Sequence, residues 1–420
     1  MFLPSGNKFV KTHSGLIESF LSLSVLNGVN IILPLITLPY LVRTVGLSKF
    51  GAYSIVYTVL QYVLLISTYG FNYTTTKLVA QNKDDISYIR VVFNSTILAR
   101  LLISVPSLFV GFLLVAVIYP TDYIWLYLGG IGIVLGDIIN PVWLFQGYEK
   151  MRYMAAANFV CKLLFTVLIF VFIRSEQDYI YINLLNSLGF MAAGVISLFI
   201  SMKCFDIKIV AVKFSDVIFQ LKEGWSIFLS TIFMNLYRNS NVFILGFFLS
   251  EYNVGVYSTA EKVVKAVQSV VAPISNALFP YFASSFKSNS ISDNAKRILR
   301  TNGKLVVLLF VVAFLFVVFS DLINDLLFDV EESNISLLMR VMSPVIVIGG
   351  MNYVLGVAGL VNLGHNLYFL KAVTVSGVVS LLALFPLVQL MGVFSGAASM
   401  ILAEIILFAY CFIMVKRLAL

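Results

Sequence analysis

The sequence predicts an all-α polytopic membrane protein with about twelve transmembrane helices, arranged as two halves of six. Three observations favour this fold class: the composition, the lengths of the apolar stretches and a weak internal repeat. Hydrophobic residues make up 60% of the 420 residues and charged residues only 11%, whereas soluble domains carry about a quarter charged residues. The chain is therefore expected to lie in a lipid bilayer.

Twelve apolar stretches are long enough to cross about 30 Å of hydrocarbon, which takes about 20 helical residues. The polar connection "MKCFDIKIVAVKFSDVIFQLKEG" follows the sixth stretch. We therefore expect an N-terminal six-helix bundle over 1–202, a cytoplasmic linker over 203–224 and a C-terminal six-helix bundle over 225–420. The predicted spans are 18–42, 50–71, 91–118, 123–145, 155–173, 179–201, 225–249, 254–282, 304–324, 335–361, 368–390 and 393–415.

The distribution of Lys and Arg predicts that both termini are cytoplasmic. With this orientation, 19 of the 28 basic residues fall in inward segments, six inside spans and only three (Arg43, Lys49 and Arg174) in outward loops. The net charge of +8 then needs no nucleic acid to explain it. The start "MFLPSGNKFVKTHSG" lacks a short apolar core with a cleavage site, so the first span is expected to be retained.

A weak repeat relates the two halves. "LSKFGAYS" at Leu47–Ser54 matches "LSEYNVGVYS" at Leu249–Ser258, and "QGYEKMRYMAAANFV" at Gln146–Val160 weakly matches "LGHNLYFLKAVTVSG" at Leu363–Gly377. Each pair lies six spans apart, so the halves share one orientation and a pseudo-twofold axis along the membrane normal. The alternative is that short apolar matches arise by chance.

Polar stripes follow one face of each of two neighbouring spans. A polar face in a membrane helix is expected to line water or a polar partner. The stripe in span 8, which Lys262 borders, consists of Tyr257, Glu261, Lys265, Gln268 and Ala272. The stripe in span 7 consists of Thr231, Asn235, Arg238 and Asn239, and the repeat alignment sets Tyr53, Tyr57 and Gln61 opposite Tyr257, Glu261 and Lys265.

The embedded charges indicate an anionic substrate. Six basic residues against three acidic ones leave the interior net positive, which attracts anions, and Arg suits phosphate oxygens. The alternative for Arg100, Lys162 and Arg340 is snorkelling to the headgroups. The candidate substrate-binding residues are Arg238, Lys265, Lys262, Asn235, Arg100, Lys162, Arg340, Tyr257, Tyr57 and Gln61.

The embedded acids have structural alternatives as well. Glu261 can neutralise Lys265 at i+4, and Asp137 can satisfy backbone groups of a helix broken near Pro141. Glu404 lies in the middle of a span without an evident role.

No enzyme or cofactor chemistry is predicted. The sequence has no G-x-x-x-x-G-K-[ST] loop, and its two histidines and three cysteines form no metal-site pattern. No outward loop exceeds about fifteen residues, which leaves no room for a catalytic domain on the outer face.

Three segments resemble Wzx-type O-antigen and capsule repeat-unit flippases, in the polysaccharide-transporter branch of the superfamily that also holds multidrug exporters. They are "LPYLVRTVGLSKFGAYSIVYTVLQYVLLISTYGFNYTTTKLVAQNKDD", "FQGYEKMRYMAAANF" and "FFLSEYNVGVYSTAEKVVKAVQSVVAPISNALFPYFASSF". The resemblance implies two six-helix bundles around a central cavity. It also implies alternating-access movement of an undecaprenyl-diphosphate-linked oligosaccharide across the bacterial inner membrane.

The resemblance further implies coupling to a proton or sodium ion, with Glu261 or Asp137 as candidate residues. Membrane lipid and the polysaccharide polymerase and chain-length proteins would be partners, and no nucleic acid is expected. The competing functions are a multidrug–cation antiporter of the same superfamily and a polytopic glycosyltransferase or O-antigen polymerase. The basic interior argues against the first, and the short outward loops argue against the second.

Overall fold

The structure is a computed structural model that describes residues 6–269, 282, 290–330 and 334–420. Side chains are described from residue 33 onward, except those of residues 230, 233 and 236–238. Every regular element in these ranges is helical. The first half contains α1 (Gly6–Thr68), α2 (Phe71–Gln81), α3 (Ile86–Ile118), α4 (Thr121–Ile138), α5 (Val142–Gly147), α6 (Met151–Phe172), a 3₁₀ helix (Glu176–Tyr181) and α7 (Ile182–Cys204).

The second half is also a series of helices, several of them short. It contains α8 (Phe214–Phe248), α9 (Glu251–Ser269), α10 (Ile291–Val318), α11 (Ser320–Leu327), α12 (Ile335–Met342), α13 (Pro344–Asn352), a π-helix (Tyr353–Leu360), α14 (Asn366–Met391) and α15 (Phe394–Ala419).

Nine helical stretches in the described ranges are long and apolar enough to cross a membrane. The first two predicted spans count as one stretch, because α1 runs through both and continues into α2. Helix α8 contributes only the shorter apolar stretch Asn239–Phe248, and α9 is not among the nine. The all-α membrane fold is confirmed, whereas the number twelve stays a prediction.

Long apolar faces point away from the protein interior, as expected of helices in lipid. Helix α3 exposes Val105, Phe109 and Val117, the last with 82% of its surface accessible. Helix α10 likewise exposes Phe310 and Phe314. These side chains gain a hydrophobic environment only when hydrocarbon surrounds them.

Three breaks in the helices have local causes. Gly46, in the predicted loop between spans 1 and 2, kinks α1 with φ 76° and ψ 162°, a conformation that is essentially restricted to glycine. Helix α1 ends at Tyr69 and Gly70, which both have positive φ. The predicted fourth span is interrupted between Ile138 and Val142, where Pro141 has no backbone N–H to continue the helix.

Two other predicted boundaries shift. Helix α8 begins at Phe214, inside the predicted linker, because the Asp216 carboxylate accepts a hydrogen bond from the Lys213 backbone N–H at 3.1 Å and caps the helix start. The predicted tenth span divides into α12, α13 and the π-helix, and Pro344 begins α13.

The chain forms two compact units. Unit 1 comprises residues 1–37 and 56–231, and unit 2 comprises residues 38–55 and 232–420. The division into two six-helix bundles stays a prediction, and the two units are divided differently from it in two places. Residues 38–55 pack with the helices of the second half, and the first part of α8 packs with those of the first half.

Each unit has its own apolar core. In unit 1, large side chains of α3, α5 and α6 pack together, among them Phe93, Trp143 and Met154, which are each less than 5% exposed. In unit 2, the fully buried Leu338 and Ile346 lie on the short helices α12 and α13.

Candidate functional site

A chain of hydrogen bonds crosses the apolar interior of unit 2. Ser399 of α15 donates to Asn241 Oδ1 of α8 (3.3 Å), and Asn241 Nδ2 donates to the Tyr257 hydroxyl of α9 (3.0 Å). This hydroxyl donates in turn to Glu261 Oε1 at 3.2 Å. All four residues are less than a tenth exposed. Because an unpaired buried polar group costs about 1–3 kcal/mol, their mutual bonding fixes three helices in one arrangement.

The hydrogen-bonded chain continues through the partly exposed Lys265 to two asparagines of α8. Lys265 Nζ lies 3.1 Å from Glu261 Oε1 and donates to Asn239 Oδ1 at 3.2 Å. Asn239 Nδ2 donates to Asn235 Oδ1 at 3.0 Å. The Lys265 side chain is 33% exposed, whereas that of Glu261 is 6% exposed. A buried carboxylate therefore holds an ammonium group whose other side is accessible.

This arrangement suits recognition of an anionic oxygen. The positively charged Lys265 side chain is partly exposed, so an anionic oxygen can approach it. The predicted pair of Glu261 with Lys265 at i+4 is present. Residues of the two predicted stripes, Tyr257, Glu261 and Lys265 of one and Asn235 and Asn239 of the other, form one connected network. We call Asn235, Asn239, Asn241, Tyr257, Glu261, Lys265 and Ser399 the polar network.

Lys262, which borders the predicted stripe, has different surroundings. Its Nζ lies 4.3 Å from the ring centroid of Phe50 and 5.4 Å from that of Tyr53. An ammonium group over an aromatic face gains about 0.5–2 kcal/mol from the negative face of the ring. In this conformation Lys262 therefore binds aromatic rings of residues 38–55.

Two members of the predicted stripes cannot be placed. The side chain of Arg238 and the whole of Ala272 lie outside the described residues. Gln268, the next member of the α9 stripe after Lys265, turns toward α13, where its Nε2 lies 3.5 Å from the Val345 carbonyl oxygen.

Tyr57 and Gln61 lie in unit 1, both half-buried. The Tyr57 hydroxyl shares a hydrogen bond with Asn186 of α7. Tyr53, one turn earlier, belongs to unit 2. The expectation that Tyr57 and Gln61 form one cleft with the α9 stripe stays a prediction.

Arg100 and Asp137, predicted for substrate binding and ion coupling, form a buried clamp in unit 1. The guanidinium group of Arg100 pairs with the Asp137 carboxylate. It also donates to the backbone carbonyls of Asp137 (2.8 Å), Ile138 (3.4 Å) and Ser67 (3.2 Å). These carbonyls lie in the last turns of α4 and α1, where helices leave acceptors unpaired. Arg100 is only 2% exposed, so this conformation offers a substrate no access to it.

The other two basic candidates have different environments. Lys162 of α6 is half-buried in unit 1. The Arg340 guanidinium pairs with the Asp321 carboxylate and donates to the Ser320 hydroxyl at 2.7 Å. Both partners belong to the start of α11, so Arg340 joins two short helices at a partly exposed position.

The sequence reasoning missed Asn241, Ser399 and the pair formed by Asn352 and Glu404. Asn352 Nδ2 donates to the Glu404 carboxylate (2.6 Å) and to the Glu404 backbone oxygen (2.9 Å), immediately before the π-helix. The only sequence signal for these residues is that a polar side chain inside a membrane helix is costly and therefore needs a polar partner. No group of three or more His, Cys, Asp or Glu able to hold a metal ion occurs in the described part of the chain.

Known proteins with related sequences have names that refer to polysaccharides. The family described as "Polysaccharide biosynthesis protein" matches residues 16–286. A protein of Escherichia coli (strain K12) named "Putative O-antigen transporter" is 26% identical over 391 residues, which cover 91% of this chain and 92% of that protein.

Two solved structures share the fold at low sequence identity. "Lipid II flippase MurJ, inward closed conformation" aligns with a TM-score of 0.70 at 13% identity, covering 95% of this chain and 87% of that one. A eukaryotic MATE transporter aligns with a TM-score of 0.60 at 12% identity, covering 96% of this chain and 98% of that one. The described helices therefore adopt a known membrane-transporter fold.

Proposed function

Because the chain belongs to the polysaccharide biosynthesis protein family, we propose that it is a flippase for an undecaprenyl-diphosphate-linked oligosaccharide. The substrate would be an O-antigen or capsule repeat unit, moved across the bacterial inner membrane by alternating access. The similarity to a protein named as an O-antigen transporter over 91% of this chain supports a transporter rather than an enzyme.

The observation that carries the proposal is the position of Lys265. Its ammonium group lies beside the exposed Asn239, at the accessible end of the polar network, whereas the other end of the network is buried in unit 2. A diphosphate oxygen would bind at the exposed side of the Lys265 ammonium group, and the Asn235 and Asn239 carboxamides would lie beside it. Arg238, which follows Asn235 by about one turn of α8, is the second cation proposed for the diphosphate.

Cation coupling fits the same group of residues. Transfer of the Lys265 ammonium from Glu261 to the substrate would leave a buried carboxylate without its charge partner. Breaking a buried pair in this way costs about 3–5 kcal/mol. A proton bound to Glu261 would remove that cost, so we propose that Glu261 carries the coupling proton. The Asp137 carboxylate keeps its contact with Arg100 in this scheme.

The orientation with both termini cytoplasmic is part of the proposal. It rests on the 19 basic residues in inward segments against three in outward loops. The head group would then enter from the cytoplasmic side while the polyprenyl chain remains in lipid, and a polysaccharide polymerase would take up the product on the outer side.

Sealed vesicles that contain the lipid-linked oligosaccharide test the proposal. We expect the glycan to become accessible to an impermeant glycosidase on the opposite side only in vesicles that contain the protein. Lys265→Ala is expected to reduce the crossing rate at least tenfold. Lys416→Ala, which removes an exposed lysine from the last turn of α15, is the matched control and is expected to leave the rate unchanged.

Two other outcomes would contradict the proposal. Efflux of a cationic dye without movement of glycan would identify a multidrug–cation antiporter, the main competing function. Equal crossing rates in Lys265→Ala and the wild type would show that the substrate does not depend on the Lys265 ammonium group.

A further inference from the structure

The connection between α7 and α8 is fixed to the surface of unit 1. Residues 205–213, which we call the strap, form no helix. The Asn94 carboxamide donates to the Lys208 carbonyl at 2.9 Å. The Arg90 guanidinium donates to the Asp206 carbonyl at 3.0 Å and pairs with the Asp206 carboxylate. The strap therefore follows the first turns of α3.

Apolar side chains on one side of the strap are buried in unit 1. Phe205 is 6% exposed and stacks on the Tyr148 ring, with 4.5 Å between the ring centroids. Ile207 is 2% exposed and packs in the core that contains Phe93 and Trp143. These contacts hold the strap in one place, so that it has a buried side and an exposed side.

The exposed side of the strap presents large apolar residues. Ile209 is 86% exposed, and Phe214, the first residue of α8, is 67% exposed. Apolar surface of this kind is unfavourable in water. A hydrocarbon environment around these two side chains would remove that cost.

Lysines flank the exposed apolar residues. Lys208 and Lys213 are both exposed, and the only acidic residue in the sequence of the strap is Asp206, which pairs with Arg90. Lys208 Nζ lies 3.6 Å from Asp206 Oδ1, and both side chains are 64% exposed. The next acid, Asp216, accepts a hydrogen bond from the Lys213 backbone N–H at the start of α8. Because an exposed ion pair contributes little, another anionic group can take the place of Asp206 at Lys208.

The strap lies where the lipid-facing surface of unit 1 ends. Leu98 is the first residue of α3 with a large exposed apolar side chain, and Asn94, which holds the strap, precedes it by one turn. At the end of α7, Lys203 Nζ lies 4.6 Å from the ring centroid of the exposed Phe199. Lysines at the ends of membrane helices place their charge among the lipid headgroups. Both helices therefore put the strap at headgroup depth.

We propose that the strap anchors unit 1 to the cytoplasmic leaflet by binding anionic phospholipids. Ile209 and Phe214 lie among the acyl chains next to the headgroups, and Lys208 and Lys213 bind the lipid phosphates. Apolar groups that insert beside cations that attract anionic lipid are the combination that holds a segment in the membrane interface. The choice of leaflet rests on the proposed orientation, whereas the lipid contact does not depend on the proposed substrate.

Fluorescence quenching tests whether the strap inserts into lipid. The buried Cys161 and Cys411 are kept, and the exposed Cys204 is replaced by serine. Ile209→Cys is labelled with a fluorescent maleimide in nanodiscs of equal parts phosphatidylcholine and phosphatidylglycerol. We expect strong quenching by a nitroxide on the upper acyl chain and weak quenching by aqueous iodide. Asp84→Cys, at an exposed position in the turn before α3, carries the same label as the matched control and is expected to show the reverse.

Two results of this experiment would overturn the anchor. Equal quenching by iodide at Ile209→Cys and Asp84→Cys would place the strap in water. Protection of Ile209→Cys from iodide in native membranes but not in nanodiscs would show that a cytoplasmic protein, rather than lipid, covers the strap.

A titration tests the role of the two lysines. Detergent-solubilised protein labelled at Ile209→Cys is titrated with short-chain phosphatidylglycerol or phosphatidylcholine, and the change in emission gives a Kd for each lipid. A lysine near an anionic surface strengthens attachment about fivefold, so we expect the preference for phosphatidylglycerol to fall by at least this factor in Lys208→Gln/Lys213→Gln. The matched control, Lys416→Gln/Arg417→Gln, removes the same charge from the exposed last turn of α15 and is expected to keep the preference. An unchanged preference in the strap variant would refute phosphate binding by these lysines, whatever substrate the protein transports.

Discussion

Substitution of Arg100 can distinguish a structural role of this residue from a role in substrate binding. Replacement by methionine keeps most of the side-chain volume but removes the charge and every N–H donor. The Asp137 carboxylate then loses its cation, and the carbonyls of Ser67, Asp137 and Ile138 lose a donor. We expect Arg100→Met to lower the stability of the folded protein.

The size of this effect follows from the burial of the two partners. Removal of one member of a buried ion pair costs about 3–5 kcal/mol. The Arg100 side chain is 3% exposed, but that of Asp137 is 24% exposed, so water partly solvates the remaining carboxylate. We therefore expect a loss near the lower limit, about 3 kcal/mol.

A double variant tests whether the loss of stability in Arg100→Met comes from the unpaired charge of Asp137. Arg100→Met combined with Asp137→Asn contains no unpaired charge, so we expect it to recover about 2 kcal/mol relative to the sum of the single variants, within the range of coupling between residues in contact. Thermal unfolding of the detergent-solubilised protein, followed by gel filtration of a fluorescent fusion, measures the order of the stabilities. Additive losses would refute the clamp, because the charge pair would then contribute no coupling.

Transport by the same variants completes the test. If Arg100 only joins helix ends, the double variant transports in proportion to its folded fraction. A double variant that folds but does not transport would instead support the predicted role of Arg100 in substrate binding.

Two further predictions concern the other polar contacts. Arg340→Ala removes a partly exposed pair with Asp321. We expect the stability of the folded protein to fall by at most about 1 kcal/mol and transport to stay unchanged. Loss of transport in a stable variant would assign Arg340 to the substrate-binding site. Tyr257→Phe removes the hydroxyl that joins Asn241 to Glu261, and we expect about 1–3 kcal/mol of destabilisation together with slower transport, measured on the same vesicles. An unaffected Tyr257→Phe would show that the polar network is not continuous through this residue.

The sequence predicted long helices well where an apolar run ends at a clear signal. The predicted spans 91–118 and 155–173 correspond to α3 and α6, and α3 begins where the Asp85 side chain accepts a hydrogen bond from the Tyr88 backbone N–H. Hydropathy alone did not show the π-helix, because its residues are as apolar as the helices around it. The break between α4 and α5 has a local signal, Asn140 followed by Pro141, within an otherwise apolar stretch.

The candidate site was predictable only along single helices. The i, i+4 spacing correctly joined Tyr257, Glu261 and Lys265, because residues of one helix have fixed relative positions. Asn241 lies two residues after Asn239, on another face of α8, and its partners on α9 and α15 depend on tertiary packing. The same limitation applies to Arg100, whose depth in span 3 predicted a polar environment but could not identify the ends of α1 and α4 as its source.

A direct contact between the two copies of the repeated motif accounts for two of the positions that the copies share. Glycine at 51 and 255 and serine at 54 and 258 occur in both copies, and these are the residues that touch their own counterparts or the backbone beside them. A contact with local twofold symmetry imposes the same demand on each side, so a side chain that would clash in one copy would clash in the other. Positions one or two turns further along α9 leave the contact. There the second copy carries Glu261 and Lys265, whereas the first carries Tyr57 and Gln61. Symmetry thus constrains the residues of this contact and leaves the residues of the polar network free to differ.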